Sequence, residues 1–267
     1  MTRFYLGAPP TFMKYTDVPL FISNRPLVKL KTLHQAHGPV AVDSGGFSEL
    51  DEHGSWDHGP TPRQYASQVR RYAEEIGIEW AAPQDWMCEP WITAKTGLTV
   101  AEHQARTIGS YLDLKALDDT LPIIPVLQGW TPGQYEQHID AYDRAGIDLR
   151  TLPLVGIGSV CRRQGTEDAA SLVERIAGHG IRLHGFGFKI DGLRRVSHHM
   201  PSADSMAWAA AGRRTPAPNC DFRFPGSRGP HLNEANCLRF ALAWRQKVIA
   251  AIEESKTAPR QLSFLDC

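Results

Sequence analysis

VAVDSGGFSEL, residues 40–50, is the stretch from which the rest of the chain is read. Three apolar residues run straight into Asp43, a hydroxyl, two glycines and an aromatic. The apolar run is short and bounded by a turn signal, which reads as a buried strand rather than a helix. Taken alone, Asp43-Ser44-Gly45-Gly46 has two readings. One is a turn in which the carboxylate caps backbone amides and glycine supplies positive φ; the other is the polar end of a strand that opens onto a site.

The pattern recurs along the chain. Strands are expected at FYLG (4–7), PLFIS (19–23), VAVDS (40–44), EWAAPQD (79–85), IIPVLQG (123–129), LPLVGIG (152–158), RLHGFGF (182–188) and ADSMAW (203–208). Amphipathic segments lie between them. In 62–77, Tyr65, Val69, Tyr72 and Ile76 fall on one helical face. Further helices are expected around 98–117, 132–145 and 166–179, the last capped by Thr166 with Glu167 and Asp168 at its positive end. Strands alternating with helices imply parallel pairing, and eight of them imply an α/β fold of the closed (β/α)8 TIM-barrel type. An open doubly wound sheet is the rival, but no glycine-rich dinucleotide fingerprint follows the first strand. The barrel is expected over 1–211. An Arg/Pro/Gly-rich loop (GRRTPAPNCDFRFPGSRGP, 212–230) and a final helix near 232–254 form a C-terminal segment, 212–267, packed on it.

The 267 residues suffice for one large domain. With 29 basic and 29 acidic side chains there is no global positive field, so a nucleic-acid partner has to be held by a local basic face. MTRFYLGAPPTF does not read as a signal peptide, and no apolar run approaches the ~20 residues that span a bilayer. Five scattered cysteines, an odd number, argue against a disulfide framework. A cytoplasmic protein with no membrane partner is expected.

In such a barrel the active site gathers at the C-terminal strand ends. Asp43 with Ser44, Asp85, Gln128, and Gly158 with Ser159 occupy those ends, and Asp204 opens or lies within the eighth strand. Each also has a plain structural reading: Asp85 as a loop cap, Gln128-Gly129 as a strand terminus, Asp204 paired with Arg213 or Arg214. Their shared position on successive strands favours a site. Two carboxylates suit chemistry at a glycosidic carbon, one as nucleophile or ion stabiliser and one as proton donor. A third carboxylate and a carboxamide suit the donor and acceptor edge of a purine, and Phe47 offers a stacking face. Glycines at 45–46 and 156–158 let backbone approach a planar ligand.

DSGGF followed in order by PQDW, VLQGW, VGIGS, GFGF and ADS, over roughly 40–210, resembles the tRNA-guanine transglycosylase superfamily. It is most like the compact branch that places 7-deazaguanine derivatives into DNA. The resemblance implies replacement of guanine by a 7-deazaguanine base such as preQ0 through a covalent sugar–aspartate intermediate, on DNA in preference to tRNA. It implies Asp204 as nucleophile and Asp43 as general acid/base. A base pocket of Ser44, Gly45, Gly46, Phe47, Asp85, Gln128, Gly129, Gly158 and Ser159 is implied, with Glu89 and Ser202 as neighbours. Arg162, Arg163, Arg213 and Arg214 are candidates for backbone phosphates, against a solvated basic surface. The superfamily's C-x-C-x2-C zinc cluster is missing. Cys220, His231 and Cys237 stand in the corresponding region with Glu234 near a fourth position, against a buried thiol pair and a surface histidine. The chemistry itself needs no cofactor. A tRNA or free-nucleoside acceptor, a non-catalytic nucleic-acid-binding subunit, and a homodimer or partner protein stay open at this point.

Overall fold

The computed structural model describes residues 2–161, 163, 165–216 and 231–257. Arg162, Cys220 and most of the Arg/Pro/Gly-rich loop lie outside these residues. Eight strands form one parallel, curled sheet: β1 (Arg3–Gly7), β2 (Leu20–Ser23), β3 (Val40–Asp43), β4 (Trp80–Ala81), β5 (Val126–Leu127), β6 (Val155–Ile157), β7 (Leu183–Gly185) and β8 (Ser202–Ser205). Their order is β4-β3-β2-β1-β8-β7-β6-β5, so the chain's first and last strands meet in the middle. The ladder has its edges at β4 and β5. One isolated parallel bridge, Ala81 to Ile123, links β4 to the segment before β5, with Ala81 N–H donating to Pro122 O at 2.8 Å and Ile124 N–H to Ala81 O at 3.1 Å; β4 and β5 themselves do not pair.

Proline shortens the strands at these edges. In EWAAPQD and IIPVLQG, Pro83 and Pro125 have no N–H for a ladder, and pairing in named strands is confined to Trp80–Ala81 and Val126–Leu127. ADSMAW ends as a strand at Ser205, because Ala207 already begins the helix Ala207–Gly212. The final helix runs Leu238–Thr257, preceded by a 3-10 turn at Glu234–Asn236 rather than starting near 232.

The sheet is buried on both faces, yet its alternation is sharp. Phe4, Leu6, Val40, Val42, Leu183 and Ala203 join the main core under the helices. Tyr5, Ala41, Trp80 and Ile124 point the other way and pack with Phe21, Leu154 and Phe186 into a separate inner plug. Because side chains alternate with period two, Asp43 shares the inward face with Ala41, and Asp204 shares it with Ser202. The final helix contributes Leu238, Ala241, Val248 and Ile252 to the main core, and Trp244 lies 5.9 Å from Phe4 between ring centroids.

The helices start where the sequence marks them. Thr61 Oγ1 accepts from Gln64 N–H at 3.3 Å while Gln64 Oε1 accepts from Thr61 N–H at 2.8 Å, a capping box that opens the helix Pro62–Glu75. Tyr65, Val69, Tyr72 and Ile76 are all buried, as their spacing predicts. Thr166 caps Glu167–Gly178. No helix among the described residues is long and apolar enough to cross a membrane.

Candidate active site

The C-terminal strand ends surround a cavity of about 380 Å³, lined among others by Asp43, Phe47, Asp85, Gln128, Gly158, Ser159 and Asp204. A larger cavity, about 740 Å³, opens at the opposite end of the strands and contains none of these residues. Strand position explains the choice: Asp43 and Asp204 are the last inward residues of β3 and β8, and Asp85 lies in the loop that follows β4.

One wall is a hydrogen-bonded relay. Gln128 Nε2 donates to Asp85 Oδ2 at 2.6 Å, and Ser44 Oγ donates to Asp85 Oδ1 at 3.3 Å. Ser159 Oγ lies 2.7 Å from Gln128 Oε1 and 2.9 Å from Glu89 Oε2, and accepts from Cys88 N–H at 2.8 Å. The serine has one proton for two acceptors. If it goes to the Gln128 carbonyl, the carboxamide is locked with its NH2 on Asp85. Ser159 holds φ +56°, the one non-glycine residue in the left-handed region among the described residues. Strain of that kind persists where neighbours enforce it, here through the Ser159 contacts. The glycine before it is required by space: a Cβ on Gly158 would sit 2.3 Å from Gln128 Nε2.

Burial sets the electrostatics. Enclosure of Asp85 pushes its carboxyl up to about 7, helped by the charge of Asp43 and opposed by the bonds from Gln128 and Ser44. Enclosure of Asp43 likewise pushes it up to about 6, with Asp204 adding repulsion and the Gly45 amide and Ser23 hydroxyl opposing it. A proton near neutrality is therefore available at the Asp43 carboxyl, the property a general acid needs. Asp204 is buried, and its Oδ1 accepts from Gly187 N–H at 3.0 Å with His184 Nε2 at 3.3 Å.

Of the residues expected from sequence, Asp204, Asp43, Phe47, Asp85, Gln128, Gly158 and Ser159 line the cavity. Ser44, Gly45, Gly46 and Gly129 do not line it; Ser44 stands behind Asp85, and Gly45, at φ +90°, turns the chain into the helix Gly46–His53. Arg163 lies over the Trp130 ring at 4.4 Å, its Nε and Nη2 buried without a hydrogen-bond partner. Arg213 and Arg214 follow the helix Ala207–Gly212 on an exposed turn. His231, Glu234 and Cys237 bring one ligand atom each to within 4.8 Å of one another, and Arg239 also reaches Glu234 at 3.1 Å. Phe21, Met87, Phe186, Met206 and Glu89 also line the cavity, with His184 beneath it. For Phe21, His184 and Phe186 the available signal is strand parity, which motif order alone does not carry.

A family model described as DpdA, DeoxyPurine in DNA protein A, matches residues 1–263. No curated protein matches the chain.

Proposed function

The chain belongs to the DpdA family, and on that ground we propose that it replaces guanine in DNA with a 7-deazaguanine derivative such as preQ0. The observation that carries the chemistry is that Asp204 and Asp43 line one cavity whose wall is the Asp85–Gln128–Ser159 relay. The Asp204 carboxylate forms a bond to the deoxyribose C1′ as the bond from C1′ to guanine N9 breaks. The electron pair leaves with the base, and Asp43 supplies the proton that neutralises it. The incoming base then loses its N9 proton to Asp43 and attacks C1′. The ester bond to Asp204 breaks, restoring the carboxylate.

Asp85 and Gln128 receive the hydrogen-bonding edge of the base, and Phe47 stacks on its face. The target nucleotide has to be flipped out or single-stranded, because Asp204 cannot reach C1′ past a base stack. Arg162, Arg163, Arg213 and Arg214 are the candidates for phosphate contacts. We read the Ala81–Ile123 bridge as closure of a (β/α)8 ring. His231, Glu234 and Cys237 suit zinc in donor type, and Cys220 would complete four ligands of a structural site.

Incubation with labelled preQ0 and guanine-containing DNA or tRNA tests the reading. Label is expected in DNA, with loss in both Asp204→Asn and Asp43→Asn. Label in tRNA alone would move the acceptor to RNA, and base binding without turnover would make the protein a binding subunit.

A further inference from the structure

Beneath Asp204 the curled sheet holds a side chain that the exchange chemistry leaves unused. His184 is the inward residue of β7 and has no solvent exposure. Its ring centroid lies 4.6 Å from Trp80, 4.8 Å from Phe186, 5.7 Å from Phe21 and 6.0 Å from Tyr5. Such a cage packs the ring but satisfies neither nitrogen. Both nitrogens face β8: Nδ1 lies 2.9 Å from Ser202 Oγ, and Nε2 lies 3.3 Å from Asp204 Oδ1.

We propose that His184 is a positioning residue for the nucleophile, its Nε2–H held on that nitrogen by Ser202 and donated to Asp204 Oδ1. The inference rests on the reading of Asp204 as nucleophile. Burial holds the imidazole below the usual histidine range against the pull of Asp204, so the ring is neutral at pH 7 and carries a single N–H. A carboxylate can only accept. The proton therefore sits on Nε2, Nδ1 presents a lone pair, and the Ser202 hydroxyl must donate to it. This gives a reason for a buried hydroxyl at 202, two residues before Asp204 on the same face of β8. Among the groups around the ring, Asp204 of β8 and the Tyr5 phenol of β1 are titratable; Phe21, Trp80 and Phe186 carry no charge.

The consequence is an asymmetric carboxylate. Gly187 N–H and His184 Nε2–H both meet Oδ1, and among the described residues no hydrogen bond falls on Oδ2. Oδ2 is left to attack C1′, while the two donors hold the carboxylate plane and later stabilise the charge that returns when the ester breaks. The 3.3 Å contact is long for N–H···O, as catalytic bonds are before substrate tightens them.

Three variants separate positioning from packing: His184→Phe fills the cage without a donor, His184→Gln keeps an N–H, and Ser202→Ala removes only the hydroxyl that fixes the proton. Exchange kinetics on DNA and preQ0 affinity by tryptophan fluorescence are measured for each. His184→Phe is expected to lower kcat on the order of 10²-fold with base affinity and the KM for DNA unchanged. His184→Gln should recover most of that loss, and Ser202→Ala should lower kcat about tenfold. Should His184→Phe fail to fold, Ser202→Ala carries the test, and unchanged kcat there would overturn the inference. Full activity in His184→Phe, or equal losses in the Gln and Phe variants with affinity falling in step, would do the same and leave the exchange reading standing. A wild-type protein that exchanges no base would overturn both.

Discussion

Asp85 faces a conflict that decides how the pocket responds to pH. To accept from the N–H edge of a purine it must be ionised, yet burial and the neighbouring Asp43 push its carboxyl up to about 7. Binding of the base therefore releases a proton below that value. The affinity for preQ0 is expected to weaken about tenfold per unit as pH falls below 7, and to become flat with pH in Asp85→Asn. A flat wild-type profile from pH 5 to 8, read by fluorescence titration, would remove Asp85 from the base-reading role. Gly158→Ala supplies a second test, because its Cβ has to displace the Gln128 carboxamide. Base affinity should fall at least tenfold, about 1.4 kcal/mol, with little change in melting temperature. Asp43 and Gln128 were legible in the sequence because each ends an apolar run, and Asp85 and Asp204 because they stand in or beside strand-like runs. The relay from Ser159 to Glu89 was not, since it joins residues far apart in the chain through a left-handed serine that favours no particular motif.

The helices hold the strand ends through their tyrosines. Tyr135 donates to Gly158 O at 2.6 Å, Tyr65 to Ala82 O at 2.7 Å and Tyr142 to Val126 O at 3.0 Å, each from a buried helical face to a strand or the loop after it. These hydroxyls fix the carbonyls of the segments that build the pocket. Tyr135→Phe leaves the Gly158 carbonyl without this partner, at a cost of about 1–3 kcal/mol. Because Gly158 touches Gln128, the same change should weaken preQ0 binding, whereas Tyr142→Phe should lower the melting temperature with little effect on binding. Equal effects on binding would show that the tyrosines act only on stability. Spacing revealed which residues of Pro62–Glu75 face inward, and Thr166 marked the start of Glu167–Gly178. Strand ends were less legible: Pro83 and Pro125 shorten the edge strands, and in runs buried on both faces both alternating sets are apolar, so no apolar/polar pattern marks where pairing stops.

The whole fold sustains acids in an enclosed space, and that has a thermodynamic signature. The folded-state values of Asp43 and Asp85, about 6 and about 7, stand above the ~3.9 of an unfolded chain. Their contribution to stability is thus fully present below pH ~4 and is lost as pH rises through 6 and 7. Asp85→Asn should raise the melting temperature at pH 8 and not at pH 4, with an upper bound on the order of 4 kcal/mol. Equal shifts at both pH values would mean that desolvation of the acid is not the cause. On the proposed zinc site, a chelator is expected to lower the melting temperature of protein supplied with zinc and to leave Cys237→Ser unaffected. Identical responses would discard the metal site. Eight strand-like runs pointed to the parallel sheet and its curl, and the shared topological position of their polar ends pointed to the cavity. How the sheet ends at its two edges was not legible, because pairing there is cut short beside two prolines. The proposed exchange turns on a covalent step at one side chain. Mass spectrometry of the denatured protein after incubation with single-stranded guanine-containing DNA reads that step. The expected result is a DNA adduct mapping to Asp204 that disappears in Asp204→Asn and when preQ0 is added to release it. An adduct at another residue, or base exchange at the wild-type rate in Asp204→Asn, would contradict it.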